Sequence, residues 1–265
     1  MLQSYAMSKN KLLYVDTETT DTQSKDILQL AFLTDNPNIY MNMYFKPIQE
    51  ISFGAMAIHN ITPEDVKDCD TFEKAKLPEK GIDPEYSGSS LKEYLQYLGD
   101  EYIWVAHNAD FDTEVLEKKG IEVKNEICTL KVARNALTTP DGHDLESYKL
   151  QYLRYYLGLY KNEDKEHIKA HDALSDVYFL RDLYKYLESN TKLSIENMIL
   201  ISKQPQVMRE MSFGKYMGKT FEEIERVDRE YLEWLVESMG DKPDLQWNAK
   251  LALDSGIRNR TQSLF

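Results

Sequence analysis

Residues 12–19 read LLYVDTET, four apolar residues running directly into Asp16 and Glu18. A short apolar run bounded by polar residues reads as a buried β-strand. Side chains alternate along a strand with period two, so Asp16 and Glu18 fall on one face, close to the edge of the sheet. The next two apolar runs, ILQLAFLTD and IYMNMYFKP, follow after polar breaks at 20–25 and 36–38, which predicts a three-stranded meander.

Further along, SSLKEYLQYLG predicts a helix with Leu91, Leu95 and Leu98 on one face, and YIWVAHN predicts another buried strand. A helix over 112–119 with a stop at Gly120 comes next, then an amphipathic stretch LESYKLQYLRYYLGL. The clearest helix carries Ala173, Val177, Leu180, Tyr184 and Leu187 in steps of four and three, one buried stripe. Strands alternating with helices imply an α/β mixed sheet. The pattern weakens around 190–206, where Pro205 appears, so a domain over 1–190, a linker over 191–208 and a small domain over 209–265 are expected.

The chain has 265 residues, 42% hydrophobic and 29% charged, with no apolar run of membrane-spanning length. Its first residues, MLQSYAMSKN, lack the apolar core of a secretory signal, so a cytoplasmic location without membrane contact is expected. Only Cys69 and Cys128 occur, outside any zinc spacing, and both are expected as buried free thiols. The net charge of −13 argues against a broad basic face laid on phosphates. That acidity is uneven. Residues 203–265 hold 10 basic and 11 acidic side chains, so the excess belongs to the first 202.

A DxE pair alone identifies nothing, because the spacing occurs six times in this chain. The pair at Asp16 and Glu18 differs in ending an apolar strand. In AHNADFD, residues 106–112, a strand hands over to a helix. Asp110 suits the helix cap, which leaves Asp112 without an obvious structural task. In HDALSD, His171 precedes the striped helix, and Asp176 sits one residue before the buried Val177. Four carboxylates brought together would repel one another unless cations bound between them. An all-oxygen donor set favours Mg²⁺ or Mn²⁺, and two such ions would suit in-line phosphodiester hydrolysis.

Together, DTETT, AHNADFD and HDALSD resemble the three motifs of the DEDDh 3′–5′ exonucleases, the family of the polymerase III epsilon proofreading subunit. AIHNITPEDV at 57–66 resembles that family's HGIT segment. The resemblance implies a ribonuclease H-like exonuclease fold, a mixed five-stranded sheet flanked by helices. It implies Asp16, Glu18, Asp112 and Asp176 as ligands of two Mg²⁺ or Mn²⁺ ions and His171 as general base, and it makes all five catalytic. It further implies a 3′-nucleotide pocket involving Thr17, Thr19, Ile58, His59 and Asn108. The family pattern has glycine and an apolar residue where Asp21 and Thr22 stand, and glycine where Asn60 stands; Asp and Asn tolerate left-handed backbone.

The C-terminal MSFGKYMGKT, 211–220, has one residue too few between its glycines for a nucleotide-binding loop. With Trp234 and Leu235 it resembles instead the small α+β domain appended to exodeoxyribonuclease X and related nucleases, and Lys215 and Lys219 become candidate phosphate contacts. The expected function is a metal-dependent 3′–5′ exodeoxyribonuclease that acts on single-stranded or frayed DNA 3′ ends and releases 5′-mononucleotides, in repair or proofreading. RNA trimming, and a proofreading subunit acting through a polymerase or repair partner, are the alternatives.

Overall fold

The predicted meander forms. In the computed structural model, which describes residues 11–162 and 173–262, β1 (Leu12–Thr19), β2 (Ile27–Thr34) and β3 (Tyr40–Tyr44) pair antiparallel. Two helices, α1 (Phe53–His59) and α2 (Pro63–Val66), lead to α3 (Leu91–Glu101), β4 (Ile103–Ala106), α4 (Ala109–Lys118) and β5 (Asn125–Cys128). β4 and β5 add parallel strands on the other side of β1, giving the order β3-β2-β1-β4-β5. β1 is therefore central, and its C-terminal end shares an edge with that of β4, where a parallel pair presents functional groups. After α5 (Thr129–Ala136) and α6 (Leu150–Tyr156), α7 (Ala173–Asn190) packs on β1 and β2, and α8 (Ile195–Ser202) follows.

The two faces of β1 do different things. Leu13 and Val15 join Leu95, Leu98, Val115 and Leu116 of α3 and α4 in the main core. Tyr14 points the other way, its ring 5.7 Å from that of Tyr184 on α7. Asp16 and Glu18 share this second face by strand alternation. The whole α7 stripe predicted from sequence is buried, at 1% exposure or less. Val177, Leu180 and Leu187 each contribute about 1.5–3 kcal/mol by leaving water, which holds α7 against the strand that carries the carboxylates.

Several boundaries differ from the sequence reading. α4 begins at Ala109 with Asn108 as its N-cap, so Asp110 lies inside the first turn rather than capping it. Its predicted end holds, since Gly120 follows with a left-handed φ of 72°. The stretch expected to be helical from 145 forms a helix only from Leu150. Before it, the Tyr148 hydroxyl accepts from the Leu145 N–H and donates to the Leu137 carbonyl, which fixes a non-helical path. Residues 191–208 contain α8. Cys128 is buried, whereas Cys69, between Asp68 and Asp70, is only partly so. Among the described residues, no helix is long and apolar enough to cross a membrane.

The chain packs as two compact units, one running to Leu130 and resuming over Lys149–Ile199, the other taking Lys131–Tyr148 and everything from Leu200. In the second unit, α9 (Phe221–Val227), α10 (Arg229–Ser238) and α11 (Pro243–Gln262) enclose Phe221, Ile224, Leu232, Leu235, Leu245 and Ala249. Among the described residues of 209–265, the β component is one antiparallel bridge between Glu210 and Thr220. Arg209 closes the end of α5, donating to the carbonyls of Arg134 and Asn135 at 2.6 and 2.8 Å and to Asp144 at 3.0 Å.

His143 pairs with Glu210 in this unit, and the hydrogen bond and charge of that carboxylate raise the imidazole pKa above its ordinary value. A raised folded-state pKa adds stability that is present below the unfolded value of about 6.5 and lost as pH rises through the folded one. Glu210→Gln is therefore expected to melt below the wild type near pH 6, with the difference closing as pH rises through the raised titration of His143. A difference unchanged across that range, followed by thermal melts, would contradict the pairing.

Candidate active site

Asp16 and Glu18 on β1 and Asp176 in the first turn of α7 come together, with one carboxylate oxygen from each lying within 4.8 Å of the others. Asp176 is 9% exposed, held beside the apolar stripe as its position before Val177 predicts. The register of β1 against β2 shifts between Glu18 and Thr19. Such a bulge re-aims side chains, here just beyond the second carboxylate. The three carboxylates form a hard, all-oxygen donor set of the kind that suits Mg²⁺ or Mn²⁺. No group in it favours a soft metal.

Asp112 stands apart from this trio. It reaches β1 from α4, where its Oδ1 accepts from the Thr17 N–H at 2.9 Å and the Thr17 hydroxyl at 2.7 Å. Thr17 lies between the two strand carboxylates, so Asp112 fixes the backbone that carries them. Burial pushes the Asp112 carboxyl up to about 7, against the opposing pull of both Thr17 hydrogen bonds.

The predicted 3′-nucleotide contacts divide. Thr17 and Thr19 are both buried; Thr19 donates its hydroxyl to the Asp21 carbonyl at 2.9 Å. His59 is 5% exposed and spans two backbones. Its Nδ1 accepts from the Ile61 N–H at 2.9 Å, which leaves the proton on Nε2 to face the Thr19 carbonyl at 3.3 Å. That ring ties α1 to the end of β1, and burial lowers its pKa, favouring the neutral form. Ile58, by contrast, is 59% exposed, and Asn108 is exposed at φ 68°.

Asn60 adopts φ 60° as the C-cap of α1, so the turn expected to survive without glycine does so. After DTETT the left-handed residue is Lys25, while the Asp21 carboxylate accepts from the Gln23 and Ser24 N–H groups at 2.6 Å. His171 lies outside the described residues, two positions before α7 begins. In the C-terminal unit the Lys215 ammonium binds Asp228 at 2.8 Å; with the Tyr216 hydroxyl it draws that carboxyl down to about 2. Lys219 is exposed.

Two glutamines were missed by the sequence reading. Gln29, fully buried on β2 opposite Glu18, accepts from the Ala173 N–H over 3.4 Å and donates to Asn42 at 2.8 Å. It joins the start of α7 to the strand beside the carboxylates. Gln151 on α6 donates to Asp176 Oδ1 at 2.7 Å. Each is a lone amide within an apolar run, ILQLAFLT and LQYLRYY, which is the only signal the sequence offers.

A family described as 3′–5′ exonuclease matches residues 69–192, and one described as exodeoxyribonuclease X-like C-terminal matches residues 211–238. Exodeoxyribonuclease 10 of Escherichia coli K12 is 29% identical over 252 residues, covering 92% of this chain and 99% of that protein. The DNA polymerase III epsilon subunit of Buchnera aphidicola is 25% identical, covering 91% of this chain and all of its own length. Among solved structures, exonuclease X in complex with 5′ overhanging duplex DNA superposes with a TM-score of 0.50 at 28% identity, covering 72% of this chain and 99% of that one.

Proposed function

We propose, from the premise that this chain carries a 3′–5′ exonuclease domain followed by an exodeoxyribonuclease X-like C-terminal domain, that it hydrolyses DNA from 3′ ends to 5′-mononucleotides. The observation that carries this reading is the cluster of Asp16, Glu18 and Asp176 oxygens within 4.8 Å at the end of the central strand. These carboxylates would hold a divalent cation, Mg²⁺ or Mn²⁺. Asp112 would support a second ion while keeping Thr17 in place. When bound, such an ion supplies an acidified water and positive charge against the phosphate.

The chain's own groups do the rest. Asp16 and Glu18, projecting from a strand anchored on both faces, fix where the scissile phosphate can sit. His171 would accept the proton of the attacking water, a task suited to a group titrating near neutrality. Ile58, exposed beyond the His59 clamp, offers an apolar surface to the terminal nucleotide. The proposed setting is DNA repair or proofreading, a reading supported by likeness to an exodeoxyribonuclease and to a DNA polymerase subunit.

End-labelled DNA and RNA oligonucleotides, single-stranded and duplex, test this directly. DNA is expected to shorten from its 3′ end in Mg²⁺ and to remain intact in EDTA, with activity returning when Mg²⁺ or Mn²⁺ is restored in excess. Shortening that persists in EDTA would remove the metal-dependent reading; faster loss of RNA than of DNA would redirect the substrate.

A further inference from the structure

We propose that Gln151 is a positioning residue for the cation site, orienting the Asp176 carboxylate and itself oriented by Arg154; this rests on the metal-dependent reading above. Gln151 Nε2 donates to Asp176 Oδ1 at 2.7 Å, and Gln151 Oε1 accepts from Arg154 Nη1 at 2.9 Å. The amide can face only one way. Reversed, its oxygen would meet the carboxylate and its NH₂ would meet the guanidinium, leaving acceptor against acceptor and donor against donor.

Arg154 is itself fixed. It is 9% exposed, with its guanidinium 3.9 Å from the centre of the Phe179 ring. Gln151 and Arg154 are three residues apart on α6, and Asp176 and Phe179 are three apart on α7. Residues at that spacing share a helix face. The two pairs therefore meet in register, Gln151 with Asp176 and, one turn on, Arg154 with Phe179. Packing sets the arginine, the arginine sets the amide, and the amide sets the carboxylate.

An amide suits this task better than a direct cation. The terminal torsion of an aspartate is broad, so a hydrogen bond at one oxygen narrows the rotation of the carboxylate within the cluster. A guanidinium placed on Asp176 would stop that rotation but cancel the negative charge that draws a metal. Gln151 restrains it at Oδ1 with a partial charge instead. Partners of this kind behind a metal ligand typically change affinity by about 10- to 100-fold.

The test is calorimetric titration of Mn²⁺ into the full-length protein without nucleic acid, with thermal melts as the check on folding. Gln151→Met is expected to weaken Mn²⁺ binding about tenfold, and Gln151→Leu provides a second apolar variant should the first fold poorly. In an Asp176→Asn background, where the orientation no longer matters, adding Gln151→Met is expected to change affinity by less than about twofold. Unchanged affinity in both single variants would overturn the proposal. So would an equal loss in the two backgrounds, which would mark Gln151 as acting on the fold at large. A wild type that takes up no Mn²⁺ would instead overturn the cation site itself, and this role with it.

Discussion

Asp16→Asn is expected to reduce nucleotide release from a DNA 3′ end by about 10⁴-fold or more, which corresponds to roughly 5 kcal/mol of transition-state stabilisation. The substitution keeps the side chain's size and removes one charge from three carboxylates within 4.8 Å of one another. Size matters here because Asp16 sits in a strand whose neighbours Val15 and Thr17 are 1% and 5% exposed. The fold should therefore survive. Three carboxylates this close repel one another, so the metal-free variant, with one charge fewer, should melt no lower than the metal-free wild type. Single-turnover hydrolysis at saturating Mg²⁺, beside melts in EDTA, separates the two effects. Wild-type rates from a folded Asp16→Asn protein would contradict the role assigned to this residue.

The second large effect is expected at His171. His171→Ala should lower kcat by about 10²- to 10⁴-fold, the usual contribution of a positioned general base, while leaving Mn²⁺ affinity near that of the wild type. The pH profile supplies the decisive contrast. A base must be neutral to accept a proton, so wild-type kcat should rise with pH through the histidine's titration and then level off. In His171→Ala that rising limb should disappear. A variant that loses Mn²⁺ binding as severely as Asp16→Asn would place His171 among the ligands instead, and a retained rising limb would assign the base to another group.

How much of this was legible in the sequence depends on the physics behind each signal. LLYVDTET announces a buried strand ending in carboxylates because burial and alternation are local properties, and β1 bears out both. The α7 stripe was legible for the same reason, and with it the holding of Asp176 one residue before the buried Val177. β5 gave no comparable signal: it is four residues long, and only Ile127 and Cys128 are buried. Its place is set by parallel pairing with β4, a long-range fact. The α4 boundary was misjudged because Asn108 starts the helix through a left-handed backbone angle, with no side-chain cap bond to betray it.

Of the candidate site, the carboxylates Asp16, Glu18 and Asp176 that come together were legible as residues, but the arrangement around them was not. Spacing placed Asp16 and Glu18 on one face and Asp112 near the sheet's end. It could not show that Asp112 grips Thr17. His59 and Ile58, adjacent in sequence, take opposite parts, one a buried clamp and the other an exposed surface. Gln29 and Gln151 were invisible for a plainer reason. An isolated amide in an apolar run has no motif, and its meaning comes only from what the opposing element places against it.

The account's central claim is that Asp16, Glu18 and Asp176 bind a divalent cation at the end of β1. Anomalous diffraction from crystals of the full chain soaked in Mn²⁺ tests it most directly. The predicted result is a manganese peak in direct contact with oxygens of all three carboxylates. Manganese bound elsewhere, with these three side chains turned away from one another, would contradict it.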